Sequence, residues 1–460
     1  MRRLAIIGAL SACLLGGAPL AAMADDKTEK ALEERIKKLE KMVDVLTTHE
    51  AKEAKEEGKE KEKAAKAGEK PLSVGSTGSG KLIYAKPFVS APKAIVGGYM
   101  DFETNFLTNQ NLTRSRATNF EVARFIPFIY GDVTDRIKVA AEIEIEHGGP
   151  NNVGGGGEIK IEFATLDYLI AEPLNFRAGI LLMPMGKFNL LHDSPLNDLT
   201  DRPLVSRLIL PSTYFLPGMG FYGTLYPSKL SKLDYELYVT NGFAKNTAVT
   251  DTGIRDAGGF TRTDNNNNKG VIGRVAFSPF LGVEVGGSAA HAAYTPNADK
   301  YINMYAIDWT LQRGPFEVIG EAGWARIDDP SPSFGAVAAT GFTNGMAGYY
   351  VQGNYHFLPD FLKKWAPTHF TDASTFTAVV RWDNIDTDTN NRTLTATGGN
   401  TRELQRLTLG LNFRPIEDTV FKFDYQFNSQ LNTNNVSTSV AGEAVRIDGN
   451  GFLFSVATYF

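Results

Sequence analysis

The sequence predicts an all-β transmembrane barrel of about 16 antiparallel strands, preceded by a periplasmic α-helical coiled coil. Three observations carry this. From Ala94 onward apolar and polar residues alternate with a period of two, as in strands with one apolar and one polar face. The runs are about ten residues long, enough for a tilted strand to cross a bilayer, and the connections between them alternate between short and long. An export signal opens the chain and a strand ending in Phe460 closes it. No segment after the N-terminus approaches the roughly 18–20 apolar residues of a spanning helix.

Residues 1–24 read as a signal peptide: Arg2-Arg3, an apolar run from Leu4, and Ala22-Met23-Ala24 before Asp25-Asp26. Leu10-Ser11-Ala12-Cys13 resembles a lipoprotein box, but the apolar run continues past it to Ala22, where a lipoprotein would turn polar. The chain's one cysteine is Cys13. A mature chain cut after Ala24 therefore has no disulfide, no c-type haem attachment and no thiolate metal site. No cofactor is expected.

Residues 25–50 form the predicted coiled coil. Leu32, Ile36, Leu39, Val43 and Leu46 alternate spacings of four and three. With Ile36 at position a, Arg35 and Glu40 fall at g and e, an attractive interchain pair. This helix is also the candidate contact with the cell wall. Residues 51–93 are a linker, first a Lys/Glu/Ala tract without an apolar face, then a Gly/Ser-rich stretch.

Residues 94–460 are the predicted barrel. Ile137, Val139, Ala141, Ile143 and Ile145 alternate with Lys138, Ala140, Glu142, Glu144 and Glu146. Tyr349, Val351, Gly353 and Tyr355 alternate with Tyr350, Gln352, Asn354 and His356, and Phe421, Phe423, Tyr425 and Phe427 with Lys422, Asp424, Gln426 and Asn428. Short connections include Gly131–Asp135, Ala171–Pro173, Ser278–Phe280, Arg313–Pro315 and Arg414–Asp418; long ones include His147–Gly157, Pro184–Gly218, Gly242–Asn268 and Ile327–Gly345. Leu358–Asp372, on the short side, contains Phe361-Leu362-Lys363-Lys364-Trp365 and reads as a small interfacial helix. The last strand, Gly451 to Phe460, is similar to the recognition signal for outer-membrane insertion, with Thr458 where an apolar residue is commoner.

Phe176–Gly223 is the distinctive stretch. A strand ends at Met183-Pro184, and Met219-Gly220-Phe221 resumes only after a long segment without a clear period. Such connections in compact domains are usually functional. This one mixes Leu190, Leu191, Leu196, Leu199 and Leu204 with Lys187, Asp193, Asp198, Asp201, Arg202 and Arg207, and prolines stiffen it. Those leucines suit a loop folded inward against an enclosing wall. Strand, long mixed loop and strand together resemble the phosphate-selective porin O and P family. The resemblance implies an outer-membrane barrel whose loop 184–218 narrows the lumen, passive diffusion of small hydrophilic ionic solutes, and anions such as phosphate as the solute class. A homotrimer is expected, although Ile and Val at a with Leu at d favour two strands in isolation.

A barrel of this size encloses water, so positions opposite the lipid face are expected to be polar. Arg124, Arg177 and Arg381 are the candidate pore-lining bases, and Glu142, Glu144, Glu146, Glu162, Glu317 and Glu321 are among the inward acids. In the loop, Lys187, Arg202 and Arg207 are the candidate anion contacts, and Asp193, Asp198 and Asp201 the candidate cation contacts. The same charges could instead pair with the wall and hold the loop down. Acids in the barrel at least equal bases, and the net charge of −5 argues against a nucleic-acid partner. Asp386-Thr387-Asp388 and Asp264 with its asparagines are oxygen-rich but lack the Gly and bidentate Glu of a calcium loop; both read as solvated loop. His192, His291 and His356 show no partner in the sequence, and no Ser/His/acid spacing points to an enzyme. The alternatives to a channel are a barrel-anchored tether to the cell wall and an outer-membrane hydrolase.

Overall fold

The computed structural model describes residues 93–107, 120–149, 157–210, 212–243, 253–254, 264, 266–328, 343–389, 403–430, 439–440, 443–444 and 450–460. The expected signal peptide, coiled coil and linker lie outside them, except Lys93, which opens the first strand.

Sixteen antiparallel strands close into one barrel. They are β1 (Lys93–Leu107), β2 (Phe120–Asp132), β3 (Ile137–Glu146), β4 (Glu158–Ala171), β5 (Leu174–Leu182) and β6 (Phe215–Leu225). Then follow β7 (Lys232–Thr240), β8 (Gly270–Phe280), β9 (Val283–Ala293), β10 (Tyr301–Arg313) and β11 (Phe316–Ile327). The last five are β12 (Gly345–Phe357), β13 (Thr375–Asp386), β14 (Glu403–Ile416), β15 (Thr419–Gln430) and β16 (Gly451–Tyr459). Each pairs with its sequence neighbours, and β16 pairs with β1 from Tyr99↔Tyr459 to Leu107↔Gly451. Closure satisfies both edges of the sheet. Beyond the strand, Phe460 continues the seam: its N–H donates to the Gly98 carbonyl at 2.9 Å, and Gly98 N–H donates back at 3.1 Å.

The period-two pattern becomes two faces. On β13, Val379, Arg381, Asp383 and Ile385 are buried inward, whereas Val380 and Trp382 are exposed outward. On β14, Leu404, Arg406, Thr408 and Asn412 point in and Leu409 and Leu411 point out. The outer face is therefore apolar, with Ile129, Val139, Ile161, Val275, Ile307 and Phe423 also exposed on it. Phe357, Phe376, Phe413 and Phe421 stack ring to ring across β12 to β15 at the short-turn end, an aromatic row of the kind found at membrane interfaces. Water would not stabilise such an exterior; a bilayer does. Among the described residues no helix is long and apolar enough to cross a membrane.

Short and long connections alternate along the chain, with one difference. The link from β9 to β10, Tyr294–Lys300, lies on the long-loop side but is a compact turn, closed by Tyr294 N–H on the Lys300 carbonyl at 3.0 Å. The segment between β12 and β13 holds a helix over Asp360–Trp365, with Phe361 and Trp365 largely exposed.

The interior departs from the expected polar lining. Ile272, Ala290, Ile302, Met304, Ala306, Ile327, Met346 and Ile385 face inward and belong to one buried apolar cluster. They lie towards the long-loop ends of β8 to β13. The requirement for polar residues holds only where the wall meets water, and here the wall meets the segment between β5 and β6.

The outer face generates a test. Val380 lies near the middle of β13 and is about half exposed. Val380→Arg should lower folding stability in lipid vesicles by about 2–4 kcal/mol, as charges at a bilayer midplane do. Urea titration of the folded band measures this, and an unchanged midpoint would show that this face does not meet lipid.

Candidate functional site: the segment inside the barrel

The connection from β5 to β6 turns inward at Gly186. Its φ of +73° lies in the left-handed region, and a side chain there would run into the Glu321 carboxylate. Gly186 N–H donates to Ser288 Oγ at 3.1 Å and Phe188 N–H to Glu321 Oε2 at 3.0 Å, tying the entry to β9 and β11. Asn189, fully buried, clasps both ends of the segment. Its Nδ2 donates to the carbonyls of Met183 (2.7 Å) and Tyr214 (3.0 Å), and its Oδ1 accepts from Tyr214 N–H at 3.1 Å.

Beyond the clasp the segment divides into a polar stretch and an apolar one. The apolar part is the short helix α1 (Leu204–Leu208) and the residues after it. Leu204, Val205, Leu208, Ile209 and Leu210 are buried in the interior apolar cluster. Each such side chain contributes about 1.5–3 kcal/mol when removed from water, so this half is held by packing. Ile254, from the connection after β7, covers it by donating its N–H to the Leu208 carbonyl at 2.9 Å.

The polar stretch is held by the wall's charges. Asp201 Oδ2 accepts from Gln426 Nε2 (2.8 Å) and pairs with Arg406 (3.2 Å), while its carbonyl accepts from Arg381 at 2.9 Å. Asp198 accepts from Asn354 Nδ2 at 2.8 Å and pairs with Arg414 at 3.5 Å. Lys422 donates to the Ser194 carbonyl at 2.7 Å and Arg414 to that of Pro195 at 2.7 Å. Thr200 N–H donates to Asp424 Oδ2 at 2.5 Å and Leu204 N–H to Asp383 Oδ1 at 2.9 Å. The strands from β12 to β16 thus grip one side of the segment.

The six candidate residues of the segment fare differently. Asp193 accepts from Tyr459 OH at 2.8 Å, and Asp198 and Asp201 are engaged as described. Arg202 is buried and donates to Ser212 Oγ at 3.4 Å within the segment. Arg207 is buried 4.0 Å from Asp201. Lys187 alone of the three cations stays half-buried. Its Nζ donates to Thr310 Oγ1 at 2.8 Å and pairs with Glu284 at 3.0 Å, beside a cavity of about 300 Å³ that Asp198, Glu317 and Arg381 also line.

The candidate pore-lining arginines all lie on the inner wall. Arg124 contacts Asp101 (3.3 Å), Glu103 (3.4 Å) and Glu146 (3.5 Å). Arg177 forms a bidentate pair with Asp167 at 2.7 and 2.8 Å and lies over the Tyr222 ring. It borders a second cavity, of about 480 Å³, with Lys138, Asp167 and Glu236. Arg381 bonds Asp383 at 2.9 Å and holds the segment through Asp201.

Opposite the basic strands stands an acidic wall. Glu142, Glu144 and Glu146 of β3 and Glu162 of β4 are all buried. Lys160 reaches Glu144 at 2.7 Å and Glu146 at 3.4 Å. His192 of the segment meets this wall, with Nε2 2.8 Å from Glu162 Oε1.

The three histidines without partners in sequence have them in space: His192 with Glu162, His291 with Asn303, and His356 with Thr377. Asn189 and His192 carried no signal of their own, because their partners are remote in sequence or are backbone carbonyls. The oxygen-rich turns also differ from a solvated reading. Thr387 and Asp388 are buried, with Asp388 Oδ1 accepting from Thr343 at 3.2 Å, and Asp264 is engaged by Lys269 and Asn266.

No family model matches the chain. An uncharacterized protein of Aquifex aeolicus (strain VF5) is 26% identical over 282 residues, which make up 58% of this chain and 62% of that protein, less than two thirds of its length. Among solved structures, the outer membrane channel DcaP of Acinetobacter baumannii is similar at a TM-score of 0.51 and 11% identity, covering 80% of this chain and 97% of that one. An anion-selective porin from Comamonas acidovorans has a TM-score of 0.49 and 11% identity, over 80% of this chain and all (100%) of its own. The similarity to DcaP shows the fold.

The grip of the wall on the segment can be tested at Asp201. Asp201→Ala removes a partner from the fully buried Arg406, and losing a hydrogen bond to a charged group costs about 1.5–3 kcal/mol. The unfolding temperature, read from the gel shift of the heat-modifiable barrel, should fall accordingly. An unaltered temperature would show that Arg406 is satisfied without Asp201.

Proposed function

We propose that the chain is an outer-membrane porin through which small hydrophilic ionic solutes diffuse passively, with segment 184–218 as its constriction. One observation carries this reading. A closed barrel with an apolar exterior encloses a charged interior wide enough to hold a whole folded segment and still leave cavities of about 480 and 300 Å³ beside it. A barrel serving only as an anchor for a tether has no use for such an interior. Oppositely charged walls draw ions in, and the pinned segment sets the size limit. Purified protein, with or without residues 1–80, should give stepwise conductance in planar bilayers. Removing Lys187–Arg207 should raise the step, because the barrel wall would remain while its filling is lost. Silent bilayers from correctly folded protein would refute the porin reading.

Within this reading the solute contact is Lys187. It is the segment's one half-buried cation beside a cavity, whereas Arg202 and Arg207 are turned into the segment's own packing. Anions, phosphate among them, are the solutes such a lysine would favour, as the family resemblance implies. Homotrimeric assembly is part of the same proposal. In a KCl gradient, Lys187→Gln should shift the reversal potential towards cations. Arg202→Gln and Arg207→Gln should leave it unchanged and lower thermal stability instead. Equal shifts from all three would place the arginines in the ion path and remove the distinction.

A further inference from the structure

The acidic wall and the segment meet at a cluster whose chemistry the channel reading does not use. Glu142 of β3 and His192 and Asp193 of the segment each offer a donor atom, and these atoms lie within 4.8 Å of one another. Glu142 and His192 are only 3% and 2% exposed. His192 Nδ1 lies 2.8 Å from the Asn189 carbonyl. A carbonyl only accepts, so Nδ1 carries a proton, and in the neutral ring Nε2 keeps its lone pair in the ring plane. Nε2 stands 2.8 Å from Glu162 Oε1 in an ionic contact, without a well-formed hydrogen bond on either atom among the described residues. Glu142 Oε1 is likewise buried with no hydrogen-bond donor among the described residues. Asp193 gives one oxygen, Oδ2, to Tyr459 OH, and Oδ1 remains available.

We infer that Glu142, His192 and Asp193 form a binding site for a divalent transition-metal ion, with Glu162 beside them. Buried polar atoms without partners are costly, and an ion would satisfy the imidazole nitrogen and the carboxylate oxygens together. The donor set selects the class of ion. Calcium and magnesium take oxygen ligands, whereas an imidazole with carboxylates suits zinc and its first-row neighbours. Tetrahedral ligands at about 2.1 Å from an ion stand about 3.4 Å apart, so side-chain rotations of an ångström or so would close the site. Of the nearby cations, Lys160 lies on Glu144 and Glu146, and Arg202, whose charge acts on Glu162 and His192, donates from Nη1 to Ser212 while its Nη2 has no hydrogen bond among the described residues. The ion would join the segment to β3, where, among the described residues of β12 to β16, only Tyr459 reaches it, through Asp193.

The test uses the full chain without a polyhistidine tag, stripped with EDTA and titrated with ZnCl₂ by calorimetry in detergent. The expected result is one saturable zinc per chain. Affinity should fall at least tenfold in Glu142→Gln, and the site should be lost in His192→Asn, with the gel shift of each variant confirming that it is folded. Cu²⁺ in the same preparation should show nitrogen hyperfine structure by electron paramagnetic resonance, and this should vanish in His192→Asn. Absence of saturable zinc binding, or binding equal in wild type and both variants, would overturn the site and leave His192 as an ion-pair partner of Glu162. Neither readout depends on conductance, so a chain that conducts but binds no zinc refutes the metal site without touching the porin reading.

Discussion

A charge inside a barrel must either meet water or meet a partner, and most of the architecture follows from that condition. Arg406 and Asp383 are fully buried, and Asp424 and Lys422 nearly so. None could be left alone at such depth without a cost of several kcal/mol. The segment between β5 and β6 supplies what they need. It offers carboxylates to the arginines, backbone carbonyls to Lys422 and Arg414, and backbone N–H groups to the aspartates. In return the wall fixes a segment with little regular structure of its own. Wall and segment are each incomplete without the other.

The interior is consequently divided. Strands β12 to β16 hold the polar stretch by ion pairs and hydrogen bonds, and the long-loop ends of β8 to β13 hold the apolar stretch that contains α1 by packing. Across from the basic residues stand the carboxylates of β3 and β4. The cavities beside the segment, by contrast, are each lined by charges of both signs. Charges there act over short distances, because screening at about 0.15 M salt extends only about 8 Å. Under the porin reading, the few groups bordering the cavities, Lys187 and Arg177 among them, would matter more than the overall balance of charge.

Much of this was legible in the sequence for one reason. A strand in a membrane barrel has a two-residue period, so the faces of β3, β12 and β15 can be read from Ile137, Tyr349 and Phe421 onward. Inward placement of Arg124, Arg381 and Glu321 follows from the same period. What the period could not convey was partnership. Whether Arg202 faces a solute or Ser212 depends on how an aperiodic segment folds. The clasp at Asn189 and the contact of His192 with Glu162 join residues whose spacing carries no pattern. The apolar interior was hidden for a related reason. Ile302 and Met304 on an inward face contradict a water-filled lumen until the segment that covers them is known.

The reach of the segment also constrains the order in which the molecule can assemble. Thr200 Oγ1 bonds Ser455 across 255 positions in the chain, and Asp193 accepts from Tyr459 across 266. Both partners lie on the last strand, which is also the strand that seals β1. The segment therefore has no complete seat until the C-terminus is in place. Contacts of such sequence separation form late, because the chain must first close the intervening loops. Sealing the cylinder, which joins residues as far apart as Tyr99 and Tyr459, and seating the segment both await the same last strand, so neither is complete before that strand is in place.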